Sequence, residues 1–376
     1  MAISSSTSES DWAWLPTDLL DSILHQLASP IDKVRFGAVC KSWRTAVKER
    51  PRQGIQIPML LVPSKHNIKK TRSLYSITDR TISDVNLRMP YNRRRCCGSS
   101  FGWLIFLTNT SSITLFNPFR NKKIRLPQLQ KLRGYTTKSG KQYTVEKVTL
   151  SSDPTTLEDS DCLVVAIFGE YSDLVFMKLG DKSWTYVDHE HGHLFSDVLF
   201  YKGQVLAIDH RGLLLSIDVN SNLKKILAPR DLEYADLTYL VETSMGDLLL
   251  IRRFLASWPF GNDGQGMTGH FEVYKLVLDD ESGKVVKRVE VKNTGDDALF
   301  LGDNYSISIP ASYFSGCHPN SIYYTDDYTD TRPYYPNGPL DMGIFNLEDR
   351  SIRLHYKPNP SHKYMPPPIW MLLPML

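Results

Sequence analysis

Short strand-like runs recur in pairs through most of this 376-residue chain, and their repetition constrains the fold more than any other feature. The runs are rich in leucine, β-branched and aromatic residues, and turns rich in Gly, Asn, Asp and Pro separate them. Six pairs predict six β-hairpins: Met59–Val62 with Leu74–Ile77, Trp103–Leu107 with Ile113–Phe116, Leu163–Phe168 with Leu174–Lys178, Gln204–Ile208 with Leu213–Ile217, Leu248–Ile251 with Phe271–Leu278, and Ile322–Tyr324 with Met342–Asn346. A further pair, Ala298–Leu301 with Ser306–Ile309, predicts a seventh or an incomplete unit.

The spacing of these pairs favours a β-propeller. Their second strands lie roughly 40 to 70 residues apart, which is the length of a four-stranded propeller blade with insertions. Each blade buries its apolar faces only against its neighbours, so one unit is used repeatedly. A β-sandwich is the alternative, but roughly 310 residues would overfill a single sandwich. The region after residue 52 is therefore predicted to be an all-β propeller of six or seven blades.

The segment from Leu15 to Arg44 differs from the rest because its apolar residues have helical spacing. Three short amphipathic helices are predicted from these residues: Leu19, Leu20, Ile23, Leu24 and Leu27, then Ile31, Val34 and Ala38, then Cys40, Trp43 and Val47. So small a unit cannot bury all of these side chains within itself. The surplus indicates either a partner protein or an ordinary helical cap folded onto the rest of the chain.

Composition narrows the class of protein. The net charge of +3 is too small to indicate nucleic-acid binding. Five cysteines in no regular pattern are typical of free thiols in a reducing compartment. Residues 1–11 are rich in serine and lack an apolar core, so we interpret them as a disordered tail and not as a signal peptide. No apolar run is long enough for a membrane span. We expect an intracellular protein of the cytoplasm or nucleus, with neither nucleic acid nor membrane as its partner.

Candidate chemical motifs are weak. Gly264, Gly266 and Gly269 match G-x-G-x-x-G, but a strand-like run follows them, whereas a dinucleotide site needs a helix there. His189, His191 and His193 alternate in one polar segment, which favours a solvated loop over a metal site. No catalytic framework is recognisable. We therefore predict no catalytic residue, no metal and no cofactor.

A tyrosine-rich segment, residues 323–335, is a candidate recognition surface. Tyrosine offers a large contact area with little side-chain entropy to lose. Tyr328, Tyr334 and Tyr335 are the candidate residues for binding a target protein. Packing between blades is an equally good interpretation of these tyrosines.

The helical segment resembles the F-box, the module that docks on the Skp adaptor of cullin–RING ubiquitin ligases. The resemblance is carried by L-P-x-D-L-L-x-x-I-L-x-x-L from Leu15, D-x-x-R from Asp32 and V-C-K-x-W-R from Val39. It implies an F-box over residues 12–52. It also implies an adaptor-binding set made of Leu15, Pro16, Leu19, Leu20, Ile23, Leu24, Leu27, Val34, Val39, Cys40 and Trp43.

Residues 53–376 are similar to the F-box-associated region of plant proteins catalogued as domain of unknown function 295. Segments such as FGWLIFL, ALFLGDN at 298–304 and DMGIFNLEDRSI carry this similarity. It implies an α+β multidomain chain, a three-helix F-box followed by a kelch-like propeller, although the kelch double-glycine signature is absent. The implied function is non-catalytic substrate recognition in a Skp–cullin–F-box ligase. The alternatives are a binding or inhibitory protein that acts without degradation, and a propeller enzyme with carboxylates around a central funnel.

Overall fold

The computed structural model describes residues 12–27, 30–37, 39–48, 58–64, 71–83, 85, 87–90, 95–108, 112–129, 145–155, 162–169, 171–187, 194–256, 267–314, 316–327, 341–360 and 365–373. The chain divides into two compact units, Met1–Ile57 with Leu373–Leu376, and Pro58–Leu372. Within the described part of the chain, no helix combines the length and the apolar character that crossing a membrane requires.

The first unit is helical, as predicted. A 3-10 turn, Trp12–Trp14, precedes α1 (Thr17–Gln26), α2 (Pro30–Gly37) and α3 (Lys41–Lys48). Pro16 stands just before α1, where its fixed φ and missing N–H cost the helix nothing. The apolar spacing of α1 places Leu20 and Leu24 on one face. They form the core of this unit together with Phe36 of α2 and Ala46 of α3.

The second unit consists of short strands. In chain order they are β1 (Pro58–Pro63), β2 (Thr71–Ser76), β3 (Thr81–Ile82), β4 (Leu87–Arg88), β5 (Cys96–Ser100), β6 (Trp103–Leu107), β7 (Ser112–Asn117), β8 (Lys122–Gln128), β9 (Val145–Leu150), β10 (Leu163–Phe168), β11 (Asp173–Lys178), β12 (Thr185–Tyr186) and β13 (Phe195–Tyr201). They continue with β14 (Gln204–Asp209), β15 (Leu214–Asp218), β16 (Leu223–Ala228), β17 (Leu237–Glu242), β18 (Leu248–Ala256), β19 (Met267–Leu278), β20 (Val285–Glu290), β21 (Asp297–Leu301), β22 (Ile307–Pro310), β23 (Ser321–Tyr324), β24 (Gly343–Asn346), β25 (Ile352–Arg353) and β26 (Ile369–Leu372).

The described strands form six sheets, which are the six blades of a propeller. Sheet 1 contains β1 to β4 and also β26, and sheets 2 to 5 contain four consecutive strands each, from β5 to β20. Sheet 6 contains β21 to β25. The innermost strands of neighbouring sheets contact one another in the order β26, β5, β9, β13, β17 and β22.

The core lies between the sheets. Separate hydrophobic clusters fill the spaces between sheets 2 and 3, 3 and 4, 4 and 5, and 5 and 6. Strand β10 shows why its sequence is apolar at every position: Val164 and Ala166 pack toward sheet 2, whereas Val165 and Ile167 pack toward sheet 4. A strand buried on both faces has no need for polar alternation.

The six predicted hairpins are confirmed by the strand pairing. The predicted seventh pair does form, as β21 with β22, but it does not make a blade of its own. Strand β21 also pairs in parallel with β23, so both hairpins belong to sheet 6. The propeller of the described residues therefore has six blades, and the seven-blade alternative is wrong.

The C-terminal strand closes the ring. Strand β26 pairs with β1, with Trp370 opposite Leu60, and so becomes the innermost strand of sheet 1. The Trp370 ring contacts Phe300 of sheet 6 edge-on, at 5.1 Å between ring centroids, and His355 at 5.1 Å. The two ends of the propeller sequence thus share one sheet, which removes an open edge from the ring.

Candidate functional site

The helical unit presents large apolar side chains to solvent. Trp14 is 82% exposed and Leu19 is 51% exposed, and Trp12 and Val39 are exposed as well. Exposed apolar groups so concentrated in one small unit indicate a surface that another protein covers. We call these four residues the exposed apolar face of the helical unit.

The core of the unit supports this face. Phe36 packs against Trp43 with 4.3 Å between the ring centroids. The Trp43 indole Nε1 donates a hydrogen bond of 3.0 Å to the carbonyl oxygen of Trp12. Trp43 therefore fixes the 3-10 turn that carries Trp12 and Trp14.

The predicted adaptor-binding set is divided by burial. Leu20 and Leu24 are buried in the core, where they support the surface without forming it. The side chain of Val34 lies outside the described residues. The exposed members are Pro16, Leu19 and Val39, and the half-buried members are Leu15, Ile23, Leu27, Cys40 and Trp43. The sequence prediction missed Trp12 and Trp14, although two tryptophans just before the first helix were a visible signal.

Two ion pairs lie near the centre of the propeller, one of them buried and the other partly buried. Lys147 of β9 binds Asp197 of β13, with 2.6 Å between Nζ and Oδ1. The other carboxylate oxygen of Asp197 accepts the backbone N–H of Leu240 in β17 at 2.9 Å. One buried carboxylate thus links three consecutive sheets, and its charge is matched by that of Lys147.

The second pair joins Arg95 to Asp303 through two hydrogen bonds of 2.6 and 3.0 Å. Two parallel N–H donors on one carboxylate give this pair a fixed geometry. Burial raises the pKa of Asp303 to about 6, although the Arg95 guanidinium opposes this shift.

Asp303 belongs to a segment, residues 302–306, that lies across the centre of the ring. This segment contains the Gly-Asp-Asn part of the block that carried the family resemblance. Its backbone carbonyl at Gly302 accepts from Lys147 at 3.4 Å, and Gly302 itself has a φ of +153°, which favours glycine. The other contacts run from Tyr305 N to Ser99 O, from Tyr305 Oη to Phe200 O and from Ser306 Oγ to Asp197 Oδ2. The segment therefore ties sheet 6 to sheets 2, 3 and 4.

A third buried charge, Arg253 of β18, joins sheet 5 to sheet 6. Its side chain is fully buried, and it binds the carboxylates of Asp327 at 2.8 Å and Asp341 at 2.7 Å. It also donates to the hydroxyl groups of Tyr239 at 3.1 Å and Thr268 at 2.7 Å. Such a saturated guanidinium is acceptable in the interior because its charge and donors are all matched. We call these five residues the Arg253 cluster.

The tyrosine-rich segment, residues 323–335, contains one member of this cluster, Asp327, and ends before another, Asp341. Asp327 stands immediately before residues 328–340, and Asp341 stands immediately after them. The three candidate residues Tyr328, Tyr334 and Tyr335 lie outside the described residues, so their role in binding stays a prediction.

The remaining motifs of the sequence lie mostly outside the described residues. Residues 267–278, which follow most of the glycine motif, form strand β19, and this matches the sequence interpretation that no dinucleotide-binding helix follows. His189, His191 and His193 lie outside the described residues. Among the residues that the structure describes, no group of three His, Cys, Asp or Glu could hold a metal ion.

Comparison with known proteins agrees with this architecture. Residues 12–51 match the F-box-like domain, and residues 74–346 match the KIB1-4 beta-propeller. The chain belongs to the KIB1-4 beta-propeller family. This assignment and the N-terminal match confirm the predicted combination of F-box and propeller.

F-box proteins of Arabidopsis thaliana are similar to this chain over most of their own length. F-box protein SKIP23 from Arabidopsis thaliana is 25% identical over 404 residues, covering 96% of this chain and 95% of the relative. F-box protein At4g35733 from the same plant is 28% identical, covering 91% of this chain and 93% of the relative. A third, putative F-box protein At1g65770, is 29% identical and covers 84% of this chain and 89% of the relative. The predicted kinship with plant F-box proteins is thus confirmed.

Proposed function

We propose that this KIB1-4 family member is the substrate-recognition subunit of a Skp–cullin–F-box ubiquitin ligase. The helical unit would bind the Skp-type adaptor, and the propeller would bind a target protein. The cullin–RING part would supply the ubiquitin chemistry, so the chain itself acts without an active site. Its role is to raise the effective concentration of the target lysine near the charged enzyme. Such a subunit works inside the cell, in the cytoplasm or nucleus.

The observation that carries this proposal is the exposed apolar face of the helical unit. Its residues lie within the match to the F-box-like domain. A small helical unit gains nothing by exposing Trp12, Trp14, Leu19 and Val39 unless a partner covers them. Tryptophan is also the residue type most enriched among side chains that dominate binding energy.

The charges near the ring centre support a non-catalytic role. Asp197, Asp303 and the carboxylates of the Arg253 cluster are each bound by a lysine or an arginine. The contacts of these carboxylates link neighbouring sheets, so their burial is explained by a structural role. A hydrolase would need carboxylates that face a substrate.

The test is co-purification of the full-length chain with a Skp adaptor. We expect Leu19→Asp to weaken this binding roughly 10- to 100-fold, because it places a charge in the centre of an apolar contact. The matched control is Leu223→Asp on β16 of the propeller, where the leucine is 69% exposed. Undiminished adaptor binding by a folded Leu19→Asp variant would refute the proposal.

A further inference from the structure

Strands β18 and β19 extend beyond both of their neighbours. Strand β18 has 9 residues and β19 has 12, whereas β17 and β20 have 6 each. Strand β17 pairs with β18 only as far as Arg253, and β20 pairs with β19 only as far as Tyr274. Residues 254–256 and 267–270 therefore form a two-stranded ribbon that continues past the sheet, which we call the arm.

The root of the arm is held in place by the Arg253 cluster. Arg253 immediately precedes the arm, and it binds Thr268 within it. Asp341 of the neighbouring sheet accepts both the backbone N–H of Thr268, at 3.0 Å, and its hydroxyl group, at 2.8 Å. A two-stranded ribbon is only marginally stable by itself. These buried hydrogen bonds therefore hold the arm in one orientation before a partner binds.

One face of the arm carries aromatic and apolar side chains. Phe254 and His270 are cross-strand partners whose rings stack at 4.6 Å with 6° between their planes. Met267, opposite Ala256, is on the same face and is 41% exposed. At the root of the arm, the Arg252 guanidinium lies 5.0 Å from the Phe254 ring centroid.

A second aromatic stack adjoins this face. Tyr234, which is exposed, stacks on His210 with 5.1 Å between the ring centroids. Residues 233–236 connect the two stacks, because Arg252 donates to the Glu233 carbonyl and Asp236 accepts the Leu255 N–H. We call Tyr234, His210, Phe254, His270 and Met267 together the arm surface.

The charges around the arm surface are nearly balanced. Arg252 is paired with Glu272, Arg230 with Asp209 and Arg288 with Asp231, at 2.7, 2.6 and 2.7 Å. Two further exposed residues nearby, Arg211 and Glu233, have opposite signs. Asp236 adds one half-buried carboxylate, which accepts the Leu255 backbone N–H at 2.8 Å. Within the described residues, this region therefore has no cluster of free cations for phosphate groups. An uncharged partner therefore suits this surface better than a strongly charged one.

We infer that the arm surface binds an extended segment of the target protein, and that this segment is uncharged and contributes apolar and aromatic side chains. Pre-oriented aromatic groups with a half-exposed methionine beside them form contacts of this kind at low entropic cost. This inference rests on the proposed function, because that function requires the propeller to hold a protein.

The test uses the full-length chain and a random-peptide phage library, followed by fluorescence anisotropy with the selected peptides. We expect the enriched peptides to be rich in aromatic and aliphatic residues. Met267→Asp and Tyr234→Ala should each weaken their binding at least tenfold. The control is Met245→Asp, because Met245 is 86% exposed in the connection between β17 and β18, at the opposite end of the same sheet. That variant should bind like the unmodified chain.

Three results would overturn the inference: no enrichment, enriched peptides that are mainly acidic or basic, or equal losses in Met267→Asp and Met245→Asp. If Met267→Asp does not fold, Tyr234→Ala decides alone. Adaptor co-purification is measured on the same preparations. Loss of peptide binding with normal adaptor binding supports the arm surface, whereas peptide binding without adaptor binding would refute only the proposed function.

Discussion

Replacing Arg253 by methionine should destabilise the propeller more than most single substitutions. Arg253→Met keeps much of the apolar length of the side chain and removes its charge and its donors. Asp327 and Asp341, whose side chains are each only 5% exposed, then lose their shared cation. A buried carboxylate without a counter-charge is among the most unfavourable groups in a protein interior.

The size of the effect follows from this count of partners. Removing one member of a buried ion pair typically costs about 3–5 kcal/mol. Arg253 binds two carboxylates and also donates to Tyr239 and Thr268. We therefore expect the substitution to lower the free energy of unfolding by at least about 4 kcal/mol.

Urea denaturation of the full-length chain, followed by tryptophan fluorescence, measures this loss. The matched control is Arg120→Met, because Arg120 pairs with Asp153 while its side chain remains 32% exposed. An exposed pair contributes about 0–1 kcal/mol, so this control should change little. Adding Asp327→Asn and Asp341→Asn to Arg253→Met removes the unmatched charges and should restore part of the stability. A loss below about 1 kcal/mol would refute the reasoning.

Two further predictions concern the closure of the ring. Trp370→Ala should lower the free energy of unfolding by about 3–5 kcal/mol in the same assay, whereas Trp14→Ala, at an exposed site, should change it little. Burial lowers the pKa of His355 to about 4 from its ordinary value of 6.5, so between those values the unfolded chain binds a proton that the folded chain does not. The stability that His355 contributes is therefore complete above pH 6.5 and is lost as the pH falls to 4. His355→Gln should flatten this part of the stability profile by roughly 3 kcal/mol; equal slopes for both proteins would contradict the prediction.

The local features of the fold could be predicted from sequence, because they depend on residues that are close together. Each hairpin combines two apolar runs with a turn, and each of these signals lies within a short window. The helices could be predicted equally well, because the spacing of Leu20 and Leu24 determines which face of α1 is buried.

The pairings between distant residues could not be predicted in this way. Strand β26 pairs with β1 from the other end of the chain, and nothing in its short apolar sequence specifies that partner. The parallel pairing of β21 with β23 is similar, because turn signals predict only antiparallel neighbours. The blade count was ambiguous for this reason.

The burial of the Arg253 charge could not be predicted from the sequence either. Arg253 follows an apolar run and is preceded by a second arginine, which is the pattern of a strand leaving the core. Its neighbour Arg252 faces the connection between sheets 4 and 5, where it binds the Glu233 carbonyl, and the Arg253 side chain faces sheet 6. The two arginines differ only because alternate residues of a strand point to opposite sides. Their separate roles require knowledge of which sheets stand on either side.

This arrangement also connects the two candidate target-binding regions. Asp327 lies within the tyrosine-rich segment, Asp341 follows that segment, and the arm starts after Arg253, so all three positions meet in one cluster. A variant that keeps the fold but loosens this cluster should therefore affect both regions together. The triple variant, Arg253→Met with Asp327→Asn and Asp341→Asn, separates stability from orientation. If it regains stability and yet binds the selected peptides weakly, the Arg253 cluster positions the binding surface as well as stabilising the propeller.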